Sequence, residues 1–249
     1  MRKILLLTLL FLVLLTRNIS AVVEFVSTIN SAAHTGVSRE DYGTIALWED
    51  ATDITMNLTN SSIKTGAWTT QVGTDIADST TVTWDAGAST GNIIHMTRAN
   101  GAAAGDQYLL RVVSGVLDAS DVISDGTNTI TVSGTPDSAI VTAECHTDDG
   151  VPVNVTTGIA ITGITSNSTN YRKVTVVSGE RHDGTPGSGF RMSSSTAGVT
   201  TLFQIATQTY LIVEWLEITL KGSSTGNRWC INFPSAGLTT LLVSKCILT

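Results

Sequence analysis

The apolar positions of this chain fall into four textures, and each predicts a different element. The first residues, "MRKILLLTLLFLVLLTRNISA", place Arg2 and Lys3 before an apolar run from Ile4 to Leu15 and a small residue at Ala21. That layout predicts a secretory signal peptide over residues 1–21. The run is shorter than the roughly 20 residues a membrane-spanning helix needs. No later segment is long and apolar enough to span. The expectation is an exported chain, secreted or held at the cell surface, with no membrane span after cleavage.

In "DYGTIALWEDAT" (41–52), Ile45, Trp48 and Ala51 recur at helical spacing behind a capping Thr44. This predicts one short helix over about 44–51. Such a helix is marginal alone and has to dock on an apolar surface.

From Gly66 to Gly134, short apolar runs alternate with Gly, Asp and Ser turns every 8 to 12 residues. Strands are predicted at Thr80–Trp84, Gly91–Thr97, Gln107–Val113, Val122–Ser124 and Thr129–Ser133. Asp125-Gly126 supplies a hairpin turn between the last two. The pattern predicts a small β-barrel or sandwich. Its texture resembles small β modules of phage and bacterial surface proteins.

Beyond Gly134 the strand-like runs are Ala139–Cys145, Val153–Ile164, Tyr171–Val177, Tyr210–Leu220, Arg228–Phe233 and Thr240–Leu248. An offset of 30 aligns "VEWLEIT" (213–219) with "VSKCILT" (243–249): Val213 with Val243, Leu216 with Cys246, Ile218 with Leu248, Thr219 with Thr249. A period of this length in a strand-rich chain predicts a solenoid, in which each coil buries its inner face by stacking on the next. Strict alternation cannot put Val213 and Leu216 on one face, so a bend is expected near Glu214-Trp215. The carboxylates Glu214 and Glu217 are not repeated at Ser244 and Ile247, and both are expected to face solvent.

With the middle segment set aside, "DYGTIALWEDA", "AIVTAECHTDDG", "YRKVTVVSGERHDGTPGSGFRM" and "YLIVEWLEIT" together resemble the start of a right-handed parallel β-helix of the pectate-lyase-like kind. The resemblance implies an all-β solenoid closed at its N-terminal end by the short helix, and a secreted or surface protein that binds or acts on polysaccharide. It specifies no reaction. The expected organisation is a signal peptide (1–21), the cap and first coil (22–65), an inserted β module (66–134) that projects from the stack, and further coils (135–249). The last strand lacks a polar cap, so a longer parent protein is expected.

Composition narrows the function. The formal net charge is −7 and becomes about −10 without Arg2, Lys3 and Arg17, which argues against nucleic acid as a partner, because phosphates need Lys and Arg. Cys145, Cys230 and Cys246 lack metal-ligand spacing and are expected to be buried apolar side chains. There is no H-E-x-x-H or P-loop motif, so zincins and NTPases have no support.

Two segments concentrate polar groups. "GERHDGTPGSGF" (179–190) is a loop in which Arg181 or His182 offers a base or anion clamp and Asp183 an acid or metal ligand. In "ECHTDDG" (144–150), Asp148 and Asp149 offer Ca²⁺ ligands, as a lyase would require, but calcium wants six to eight oxygens and Asp-Asp-Gly also makes a plain turn. The solenoid is therefore expected to be a structural, adhesive or polysaccharide-binding protein. The alternative is a lyase or glycoside hydrolase working along the groove, and whether the chain is catalytic stays open.

Overall fold

The computed structural model describes residues 23–30, 42–52, 57–59, 62–97, 107–147, 152–196, 199–206, 210–221, 227–233 and 240–249. The predicted signal segment and Asp148 and Asp149 lie outside them. The described chain is mostly β, with one helix, three parallel sheets and one closed antiparallel barrel.

The parallel sheets are visited in turn. One contains β1 (Val23–Asn30), β8 (Ala139–His146), β11 (Arg172–Val176), β14 (Tyr210–Glu214) and β17 (Thr240–Ser244). The second contains β9 (Val153–Asn154), β12 (Arg191–Ser194), β15 (Glu217–Leu220) and β18 (Ile247–Leu248). The third contains β10 (Ile159–Ile161), β13 (Thr201–Ile205) and β16 (Trp229–Asn232). Successive coils thus stack strand on strand. Alternation sends every second side chain inward, producing columns such as Ser27–Ala143–Val174–Val213–Val243. The inner residues merge into one core with Phe25, Trp48, Phe190 and Phe203, each fully buried large side chain contributing roughly 1.5–3 kcal/mol.

The offset of 30 is the register of the last two coils: Val213 pairs with Val243, Glu217 with Ile247 and Ile218 with Leu248. The expected bend is also present. β14 ends at Glu214, Trp215 takes φ +65°, and β15 begins at Glu217. One coil on, Lys245 turns the same corner with φ +53°.

Helix α1 (Ile45–Thr52) begins where Leu47 N–H donates to Thr44 Oγ1 at 3.2 Å. Ile45 and Trp48 enter the core. So does Arg172, wholly buried in the column between Val141 and Leu211. Its guanidinium lies 3.4 Å from Glu49 Oε1, donates to Thr52 Oγ1 at 3.0 Å and packs 5.3 Å from the Trp48 ring centroid. A buried charge requires such partners, and the ion pair fastens the helix to the coils.

Between β1 and β8 the chain builds a barrel of order β2-β5-β4-β3-β6-β7. Its strands are β2 (Ile63–Val72), β3 (Thr81–Trp84), β4 (Ser89–Met96), β5 (Gln107–Ser114), β6 (Val122–Ser124) and β7 (Thr129–Asp137). Trp68, Trp84, Tyr108 and Leu110 fill it. Of the barrel or sandwich expected here, the barrel is formed, and the module does not simply project. Barrel residues Ile63, Ile94 and Leu109 belong to the core of the parallel stack. Gln107 Oε1 accepts from Val26 N–H at 3.1 Å, and Gln107 Nε2 donates to the Glu24 carbonyl at 2.8 Å. One side-chain amide therefore pairs the outer edge of β1, which would otherwise offer bare backbone groups.

Candidate functional site

The polar loop 179–190 joins β11 to β12 and folds back on itself, with Phe190 N–H donating to the Glu180 carbonyl at 3.0 Å. Gly189 permits this closure, since a Cβ there would lie 2.4 Å from the His182 nitrogen. A second tie comes from the next coil. Glu217 is buried and its Oε2 accepts the Gly187 N–H at 2.6 Å. The expectation that Glu217 faces solvent is therefore wrong. It sits one strand along from the loop, where an unpaired amide draws a carboxylate inward.

The three loop candidates separate. Asp183 is exposed, and its Oδ1 accepts Thr185 N–H at 2.8 Å and lies 2.8 Å from Ser188 Oγ. These bonds hold its carboxyl below the usual range, the work of a turn-forming aspartate. His182 is buried, accepts Gly184 N–H at Nδ1 (3.2 Å), and lies 5.8 Å from the Trp215 ring centroid. Arg181 anchors its Nε on the Val176 carbonyl at 3.0 Å and places its guanidinium 5.1 Å from the same ring. Lys245 approaches Trp215 to 4.4 Å. The corner thus gathers Arg181, His182 and Lys245 around one half-buried indole.

Beside it, the outer face of the five-stranded sheet carries linked charges. Lys173 Nζ lies 3.1 Å from Glu214 Oε1 and 3.8 Å from Glu24 Oε1. Thr175 Oγ1 donates to Glu214, and Thr142 Oγ1 to Glu24. His146 stands between Glu144 (3.6 Å) and Glu180 (3.9 Å), and Glu180 also accepts Thr147 N–H. The His146 imidazole, against some burial, holds Glu144 below the usual carboxylate range. At Glu214 burial pushes upward, but Lys173, Thr175 and Arg181 together outweigh it and the net shift is downward. Glu144 and Glu214 are therefore held as ionised acceptors. A glycosidase acid needs the opposite shift.

Among the described residues no group of three or more His, Cys, Asp or Glu side chains is arranged to hold a metal ion. The free cysteines are not part of the site. Cys145 is fully buried, with its thiol pushed well above the usual range by burial, and Cys230 and Cys246 are partly buried.

Two cavities lie on other faces. An apolar one of about 220 Å³ opens by the start of α1, lined by Ile29, Ile45, Val155, Phe190 and Met192. A polar one of about 410 Å³ lies between the turns that lead into β10 and β13. No part of the sequence reading singled out the second. The run of hydroxyls at Thr156-Thr157 and Thr200-Thr201 is its signal, visible only once the coils are stacked. No protein-family model, curated protein or solved structure matches this chain.

Proposed function

We propose that this chain is an exported, right-handed parallel β-helix that acts as a structural or adhesive surface protein binding polysaccharide. The three sheets visited in turn support the β-helix reading, and parallel crossovers are right-handed in about 98% of cases. The observation that carries binding over catalysis is the state of the outer-face carboxylates. Glu24 and Glu214 share Lys173, and Glu144 and Glu180 share His146. The groups stitch neighbouring coils together, and Glu144 and Glu214 are shifted away from the protonated form that acid catalysis needs. No membrane-spanning helix occurs among the described residues.

The test is a screen of the protein against acidic and neutral polysaccharides, scoring retention on the polymer and the appearance of reducing or unsaturated ends. Retention without new ends is expected. Product formation would transfer the assignment to a lyase or hydrolase, and absence of retention on any polymer would remove the polysaccharide reading.

A further inference from the structure

The polar cavity has a composition that selects its ligand. Thr156, Thr157, Thr196, Thr200, Thr201 and Gln204 line it, and no charged side chain occurs among its described lining residues. Its volume of about 410 Å³ falls within the roughly 300–1,000 Å³ of small-molecule sites. The rims are set by backbone contact between coils: a Cβ on Gly158 would lie 2.5 Å from the Thr201 carbonyl oxygen. On the next coil Trp229 pairs with Thr201, donates its backbone N–H to the Thr200 carbonyl at 2.8 Å, and is 49% exposed. Adjacent strands lie about 4.8 Å apart, so an accessible indole flanks a wall of hydroxyls and one amide.

We infer that this groove binds a neutral oligosaccharide. A sugar ring presents an apolar C–H face to an aromatic ring and hydroxyls around its rim, and the Trp229 indole and the threonine hydroxyls supply the two complements. An uncharged lining gives no compensation for desolvating a carboxylate, phosphate or cation, which disfavours acidic glycans here. The inference rests on the polysaccharide-binding reading and adds a location and a ligand class to it.

The experiment is titration calorimetry of the full chain with cellohexaose, xylohexaose, mannohexaose and N-acetylglucosamine hexamer, with polygalacturonate as the acidic comparison. At least one neutral hexaose is expected to bind. Trp229→Ala, and separately Thr157→Ala with Gln204→Ala, are expected to weaken it about tenfold, the loss of roughly 1.4 kcal/mol. Val72→Ala, at an exposed position on the barrel strand β2, is expected to leave it unchanged. All the altered groove residues are exposed, and an unshifted thermal melt confirms the fold of each variant. Failure of every neutral hexaose, or binding indifferent to the groove variants, overturns the inference. If polygalacturonate or a whole polysaccharide still binds in that case, the wider reading stands; if nothing binds, both fall.

Discussion

Trp215 and Lys245 turn the same corner of successive coils, both with left-handed backbone (φ +65° and +53°), and the Lys245 ammonium rests 4.4 Å from the Trp215 ring centroid. The left-handed conformation costs an L-residue roughly 1–2 kcal/mol. The cation–π contact returns about 0.5–1 kcal/mol at such an exposed site.

Lys245 therefore separates the two effects. Lys245→Ala loses the ring contact and keeps the strained backbone. Lys245→Gly loses the contact but relieves the strain, less about 0.5–1 kcal/mol of added chain entropy. Chemical denaturation should place the Gly variant above the Ala variant by about 0.5–1 kcal/mol. Equal stabilities would mean the corner does not adopt this conformation in solution.

The Arg172–Glu49 pair is wholly inside, and its members are 123 residues apart in sequence. Removing one partner strands the other in the core, at a cost of about 3–5 kcal/mol. Glu49→Ala and Arg172→Ala should each lower the urea midpoint severely. Replacing both by leucine should be much milder than the sum of the single losses. Additive losses in that cycle would show that the two groups do not interact.

That pair also marks where sequence reading stopped. Alternation in "YRKVTVV" puts Arg172 on the same face as Val174 and Val176, but burying an arginine makes sense only with Glu49 in view, and nothing local joins them. The register of the last two coils was legible at "VEWLEIT" and "VSKCILT", because there two strands and the corner between them repeat at one offset; elsewhere the spacing between paired strands changes from coil to coil. The long run Val153–Ile164 hid a corner, at 155–158, whereas the bend in Tyr210–Leu220 was legible and falls at Trp215-Leu216. Strand β2 was missed because Gly66 and its threonines dilute the apolar signal, and Gly66 is there to admit the Tyr108 hydroxyl, 2.8 Å from where a Cβ would stand. Of the loop candidates, Arg181 and His182 reach the Trp215 corner and Asp183 only closes its own turn. The threonine groove was illegible because its walls come from different coils.

Gln107 ties the barrel to the stack by pairing the β1 edge. Gln107→Ala leaves the Val26 N–H and Glu24 carbonyl without that partner, at about 1–3 kcal/mol if water does not replace it. Hydrogen exchange should then accelerate at Val26 with little change at Ile130 inside the barrel. Unaltered protection at Val26 would show that the barrel does not seal this edge.

The acid limb of stability follows from Glu144 and Glu214, whose folded-state pKa values are both lowered. A depressed folded pKa means that the stabilisation is fully present above the unfolded value, about 4.3, and is lost as the pH falls through the lower folded value. Both groups are partly exposed, so salt screens part of the effect. Urea midpoints measured between pH 7 and pH 2.5 should fall steeply below about pH 4 in the parent chain. Glu144→Gln and Glu214→Gln should each start lower at neutral pH and show a flatter decline, converging on the parent at the acid end. Profiles that run parallel to the parent over the whole range would mean that His146 and Lys173 do not hold these carboxylates ionised, and the case for binding over acid catalysis would lose its main support.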